Sequence, residues 1–555
     1  MKKNRIINLL ILFLVVCTFI ILGFASLNPS KPNYDDYSKV NINNQMNHIY
    51  QIAKEPHSIY DVEAKSKVRD YLISQLELLG ASTEIYEYKD VYVDRSDSYE
   101  DLQNIYAEIP GKSNSYIMLV THYDSARAKT ERSAEEDGSL GAADAGYALS
   151  TIIETLRVIR ESNIELENGI KILFTDGEEC GLLGAKHAVQ EEEIFNSVNY
   201  LINIEARGTS GPAVMFETSP NNSAVMDLYT STNKEFSYSI TPEIYRLLPN
   251  GTDFTVFLEN NIKGINISVL DGLENYHTPN DNPDNVSYES LQHYGDQVLP
   301  IVQEFVSNSK YSDPSTLTST DDSIFFSLGS LFVKYSKTIN YLLISLIVIT
   351  IIFLYKKFKF NNALKLGKYT LINFIYTIFT IGLAYILTRI VASINGKEFK
   401  LTYLPNIKYE SAIIVVFILL TLIVYIFTIK KLSYNFKEKN EYLLGSLILL
   451  LILSIILTIV LPGASYITVF PGILISIASV INITLHKYNI SYIMLIPIAL
   501  VILLFVPTIY LFNAALTFGG LSANMLFVMI AFISIVSSST YLDVKWKCRI
   551  IRKSY

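Results

Sequence analysis

The chain predicts an α/β domain, a mostly parallel sheet flanked by helices, set between an N-terminal transmembrane anchor and a C-terminal bundle of membrane-spanning helices. Three observations carry this. First, the short apolar runs SYIMLVT (115–121), IKILF (170–174), YLINI (200–204) and INISVL (265–270) each end in a polar cluster, with helical patterns such as AGYALSTIIETLRVIRE (145–161) between several of them. Strands that alternate with helices favour a parallel sheet. Second, MKKNR is followed by about 22 apolar residues, enough to span a bilayer. Third, seven further apolar stretches follow residue 337.

Charge divides the chain in the same way. Residues 31–335 hold 22 Lys+Arg against 48 Asp+Glu, a net −26, and the remainder holds 23 against 5, a net +18. An acidic domain argues against a nucleic-acid partner, which needs a basic face. The three cysteines, Cys17, Cys180 and Cys548, are too few and too scattered for a disulfide framework.

In chain order, 1–29 is read as an uncleaved signal anchor, with a cleaved signal peptide as the competing reading. Residues 30–309 form the extracytoplasmic domain, and 310–337 a linker that opens with the Ser/Thr/Asp-rich YSDPSTLTSTDDS. Residues 338–555 form the membrane domain, with spans near 338–355, 369–391, 411–429, 442–461, 465–485, 490–512 and 521–541. Lys and Arg concentrate in 356–368, 430–439, 486–489 and 545–553, which places both termini in the cytoplasm and the acidic domain outside. Pro471, Pro497 and Pro507 lie inside spans, where neighbouring helices satisfy freed carbonyls. Arg389, near the outer end of its span, reads as a snorkelling side chain. Richness in Ile, Lys, Asn and Tyr without disulfides favours a bacterial plasma membrane.

The chemistry lies in five short stretches. His122-Tyr123-Asp124 ends the first apolar run, where a metal-ligating His and an orienting Asp can face the same side, although His-x-Asp at a strand end is more often structural. Asp144, in GAADAGYALS, precedes a helical pattern and equally suits a helix N-cap. TDGEECGLLGA (175–185) groups Asp176, Glu178 and Glu179 beyond IKILF, where ligands bind in open α/β sheets. One of two adjacent carboxylates can hold a metal while the other takes a proton from water. A solvated acidic loop is the bland reading. Glu205 follows YLINI, and His277 lies in YHTPNDNPDNV. Each stretch is ordinary alone. Together they offer five ligands, what two zinc ions need if one carboxylate bridges them.

HYDS, GAADAG, DGEECGLLG, NIEARG and YHTPND, in this order, resemble the di-zinc aminopeptidases of metallopeptidase family twenty-eight over about residues 45–305. The layout of spans resembles the membrane-bound branch of that family. The resemblance implies a peptide substrate and two zinc ions per chain. One zinc would lie on His122, Asp144 and Glu205, the other on Asp144, Glu179 and His277, with Asp144 bridging. It implies Glu178 as general base and Asp124 as the residue that orients His122. Asp176 would hold the turn, and Arg207 and Asp253 are candidate substrate or supporting contacts. Two departures from the family pattern, Glu205 for a frequent Asp and Asp144-Ala145 for an Asp pair, leave the ligand set whole. The function expected is hydrolysis of N-terminal peptide bonds. The alternatives are a glutaminyl-cyclase-like enzyme and a non-catalytic receptor or scaffold on a peptidase fold.

Overall fold

The computed structural model describes the chain except residues 1, 128–137, 232–233, 361–363, 433–435, 486–490, 541 and 543–555. The basic stretches expected at 486–489 and 545–553, with Cys548, therefore lie outside the described residues. The rest divides into two compact units, one of Leu27–Phe326 and one of Met1–Ser26 with Ser327–Tyr555.

The first unit is built on one seven-stranded sheet. Its strands are β1 (Ser82–Val93), β2 (Ser98–Ile109), β3 (Tyr116–His122), β4 (Gly169–Thr175), β5 (Val198–Ala206), β6 (Val214–Thr218) and β7 (Gly264–Val269). Their spatial order is β1-β2-β4-β3-β5-β7-β6. The central four, β4-β3-β5-β7, run parallel, and the outer pairings are antiparallel. The α/β prediction holds. The four apolar runs are the four parallel strands, because strands covered on both faces carry continuous apolar sequence. Every residue of β3, β4 and β7 is buried. The edge strand β1 and its neighbour β2 escape that signal. Their mixture of Tyr, Glu and Asp leaves β1 mostly exposed on its outer side.

Helix Gly146–Glu161 is buried along most of its length, and helix Tyr288–Ser307 buries thirteen of its residues. The segment expected to begin a linker is folded. Residues 309–317 form two 3-10 turns in which Tyr311 and Leu317 are buried. Tyr311 stacks on Phe305 at 5.3 Å, and the Asp313 side chain caps the second turn by accepting from Ser315 N. Polar composition here encodes capped turns rather than free chain.

Sheet register builds a polar row below the upper rim. Asn203 on β5 pairs with Asn266 on β7, which pairs with Glu217 on β6. Asn203 Nδ2 donates to Asn266 Oδ1 at 3.1 Å, and Asn266 Nδ2 donates to Glu217 Oε2 at 3.2 Å.

Among its described residues, the second unit contains eight helices long and apolar enough to cross a membrane: Ile6–Ala25, Lys337–Lys357, Leu366–Ile394, Glu410–Leu432, Glu438–Val460, Pro462–Thr484, Ser491–Leu516 and Phe518–Ser539. The turn Pro462–Ala464 separates two of them, where proline opens a short 3-10 helix. Between spans, the Tyr425 hydroxyl donates to Asn373 Oδ1 at 2.9 Å and lies 2.8 Å from the Tyr442 hydroxyl. The Arg389 guanidinium lies 5.9 Å from the centre of the Tyr385 ring and 5.7 Å from that of Phe399.

The polar row makes a pH prediction. Burial raises the Glu217 carboxyl from its ordinary range to about 7, only partly offset by Asn266 and Arg246. The folded protein then holds its proton more tightly than the unfolded chain. Stability from this group is complete below about 4.5 and is lost as pH rises through about 7. Glu217→Gln is therefore expected to stabilise the protein at pH ~8 by about 2–3 kcal/mol and to change little near pH ~4. Unfolding followed at both pH values checks this.

Candidate metal centre

The carboxyl ends of β3, β4, β5 and β7 point to one side, and the five expected ligands meet there. His122 is the last residue of β3, and Glu205 is the penultimate residue of β5. Glu178 and Glu179 lie in the turn after β4, and His277 in the loop after β7. Asp144 sits just before helix Gly146–Glu161, and its neighbour Ala145 is the N-cap. Asp144 does not cap the helix. Its carboxylate instead spans two imidazoles, with Oδ1 3.1 Å from His122 Nε2 and Oδ2 3.2 Å from His277 Nε2. Glu205 Oε2 lies 3.7 Å from His122 Nε2, and Glu179 Oε1 lies 2.8 Å from His277 Nε2.

Two overlapping triads result, His122-Asp144-Glu205 and Asp144-Glu179-His277, and every member is buried. Asp144 belongs to both. A third group joins His122 to Glu178 and Glu179. Within each group the ligand atoms lie within 4.8 Å of one another.

Two features show that these residues suit a cation. His122 Nδ1 lies 2.8 Å from the main-chain carbonyl of Asp124, an acceptor, so Nδ1 carries a proton. Nε2 then faces the oxygens of Asp144 and Glu205. Burial would depress the ring, but Asp124 and Asp144 outweigh it and raise it well above its ordinary value, so this nitrogen calls for a positive charge, a proton or a metal ion, between it and the carboxylates. Second, Glu179 Oε1 has no hydrogen-bond partner although His277 Nε2 is 2.8 Å away. The two atoms lie side by side without hydrogen-bond alignment, as ligands of a common ion do. Nitrogen and carboxylate oxygen together form a donor set for zinc.

The electrostatics agree. Burial, reinforced by the charge of Glu205, pushes Glu178 well above the ordinary carboxyl range. Burial raises Glu205 to about 8. Burial would depress His277, but the carboxylates of Glu179 and Asp144 outweigh it and raise the ring to about 9. Asp144 is lowered despite its burial, because two imidazoles face it.

The supporting residues differ in part from expectation. It is the Asp124 main chain that holds His122; its carboxylate is 3.6 Å from the ring. That carboxylate instead accepts from Glu178 N at 3.1 Å and Glu179 N at 3.4 Å, and so fixes the glutamate turn. Asp176 braces the same turn from below. It accepts from Lys65 Nζ at 2.6 Å and Gln103 N at 2.9 Å. Asp253 is buried and accepts from Thr175 Oγ1. Arg207 N donates to Val269 O, so the main chain of Arg207 extends the sheet. Burial raises the Cys180 thiol to about 12 and keeps it neutral, which fits packing and not ligation.

Three supporting residues were not picked out from the sequence. Asp281 accepts from Ala143 N at 2.7 Å and Asp144 N at 3.2 Å and so positions the bridging aspartate. Its signal was present, four residues after His277 in HTPND. Asn203 Nδ2 donates to Glu205 Oε1 at 2.9 Å, leaving Oε2 to face His122. The Tyr294 hydroxyl donates to Glu205 O at 2.6 Å.

Residues 104–302 match peptidase family M28. This stretch of the chain is an M28 peptidase domain. The chain is similar to endoplasmic reticulum metallopeptidase 1 of Mus musculus, 23% identical over 327 residues that cover 55% of this chain and 35% of the mouse protein. It is similar to a vacuolar membrane protease of Debaryomyces hansenii, 26% identical over 457 residues that cover 77% of this chain and 43% of that protein. The chain thus spans well under half the length of these curated relatives. Among solved structures, a Zn-dependent exopeptidase from Parabacteroides distasonis aligns with TM-score 0.39 and 20% identity, over 49% of this chain and 99% of that one. A glutaminyl cyclase of Fimbriiglobus ruber aligns with TM-score 0.39 and 15% identity, over 50% and 97%.

The brace beneath the turn is testable. Lys65 is 6% exposed and Asp176 fully buried, so Lys65→Met strands a buried carboxylate. The expected cost is about 3–5 kcal/mol, read as a lower unfolding midpoint in denaturant. A change below about 1 kcal/mol, the value of an exposed pair, contradicts the assignment.

Proposed function

We propose that this M28 domain is a di-zinc aminopeptidase carried on a multi-span membrane protein. The observation that carries the reading is the pair of buried triads that share Asp144. His122, Asp144 and Glu205 would hold one zinc, and Asp144, Glu179 and His277 the other. When bound, the metals would supply Lewis-acid charge that acidifies water and stabilises a developing oxyanion.

The remaining steps belong to the chain's own residues. Glu178 stands beside the triads as a base and is not needed as a ligand. Its carboxylate removes a proton from the attacking water as the new C–O bond forms, then passes it to the amine as the C–N bond breaks. The Asp124 carboxylate holds the Glu178 main chain for this task. Burial raises the proton affinity of Glu178, which suits a group that must both accept and return a proton. The acidity of the domain, net −26 over residues 31–335, favours substrates with a free α-amine. A cyclase with a single zinc leaves the second triad without a use, and a scaffold leaves Glu178 without one.

The orientation belongs to the same proposal. The positive-inside pattern supports cytoplasmic termini and an extracytoplasmic peptidase domain, and the Ile, Lys, Asn and Tyr richness supports a bacterial plasma membrane.

Metal analysis of the purified full chain is expected to find close to two zinc per chain, and chelation to abolish hydrolysis until zinc is restored. Glu178→Gln is expected to retain the metal and lower kcat by about 10²–10⁴-fold. Full activity in that variant, or a metal-free active protein, rules the mechanism out. Cleavage of free but not N-acetylated peptides is the expected exopeptidase signature.

A further inference from the structure

The carboxylate cluster has a rim of opposite charge. Arg95, in the turn between β1 and β2, donates from Nη1 to the main-chain carbonyl of Glu179. Arg127, five residues after His122, lies with its guanidinium carbon 4.1 Å from the centre of the Tyr60 ring. The Tyr60 hydroxyl donates to Ser96 Oγ at 2.7 Å and accepts the Cys180 thiol at 3.8 Å. Cys180 follows Glu179 directly. Tyr60 therefore joins Arg127, the turn that carries Arg95, and the glutamate turn into one local structure.

Neither guanidinium has a carboxylate partner among the described residues. This contrasts with Lys39, Lys65, Lys67, Lys89 and Arg157, each of which holds an acid. Acids are abundant here, with 48 Asp+Glu across residues 31–335. Among the described residues these two exposed arginines hold no acid, although they stand at the edge of the metal centre. Guanidinium is the side chain best matched to a carboxylate, which it binds through paired N–H donors, and an aromatic face holds it in place. Arg95 rests on the main chain of the residue whose side chain enters the cluster. The offset is the length of a glutamate side chain, or about two extended residues at ~3.3 Å each.

We propose that Arg95 and Arg127 receive a substrate carboxylate, which makes the preferred substrates short peptides with a carboxylate within about two residues of the scissile bond. The inference rests on the peptidase reading above. A carboxylate there can be the C-terminus of a di- or tripeptide or an acidic side chain, and both offer the same chemistry to a guanidinium pair.

Four substrates separate the sources in the zinc-loaded full chain: Ala-Ala, Ala-Ala amide, Ala-Glu amide and Glu-Ala amide. At least one carboxylate-bearing peptide is expected to exceed Ala-Ala amide by tenfold or more in kcat/KM, chiefly through KM. Preference for Ala-Ala assigns the C-terminus; preference for either acidic amide assigns a side chain. Arg95→Gln and Arg127→Gln are each expected to bring that ratio toward one, and Arg127→Lys to restore part of it. Two results overturn the inference: rates on all four substrates within twofold of one another, or variants that slow all four equally, as a purely structural brace would. Those results leave the peptidase reading intact. Hydrolysis of none of the four, with both metals bound, overturns that reading and this inference with it.

Discussion

The structure depends on one electrostatic constraint. Asp144, Glu179 and Glu205 are buried and Glu178 is half-buried beside them, and His122 and His277 lie in the same groups of ligand atoms. A buried carboxylate is tolerated only when paired, protonated or bound to metal. Protonation is the remedy the side chains reach alone, as the raised Glu178 and Glu205 carboxyls show. Cations between the ligand atoms are the other remedy, and the placement of His122 Nε2 between two carboxylates suits one.

The sheet delivers those groups to one rim. Four parallel strands end at one rim, so residues far apart in the chain arrive at the same height. Below the rim, the register places Asn203 beside Asn266 and under Glu205, and the amide takes one carboxylate oxygen and frees the other. Around the rim, main-chain groups do much of the positioning. Asp124 O holds an imidazole, and the N–H groups of Ala143, Asp144, Glu178 and Glu179 are held by buried aspartates. Precision in this site comes from hydrogen bonds to backbone, which packing fixes more firmly than long side chains.

Legibility followed burial. The parallel strands could be read because both faces are covered and their sequence is continuously apolar. The eight apolar helices could be read because length and composition alone define a candidate span. β1 and β2 could not, since the edge strand β1 and its neighbour mix tyrosine with acid, and neither could β6, which is buried but only five residues long. The 310–322 stretch, read as the opening of a linker, carries two short 3-10 turns. Ser, Thr and Asp are as good at capping a turn as at solvating a linker, and only the burial of Tyr311 and Leu317 separates the two.

The sequence by itself determined the candidate ligands. Metal chemistry restricts them to a few residue types, and His122, Glu179, Glu205 and His277 follow strands while Asp144 precedes a helix. The tertiary structure alone decided how the supporting roles divide. Whether Asp124 acts through its side chain or its main chain, whether Asp144 caps a helix or spans two histidines, and which aspartate holds the bridging loop are questions of direction. Direction is set by the register and packing of strands that lie far apart in the chain, and no local pattern carries it.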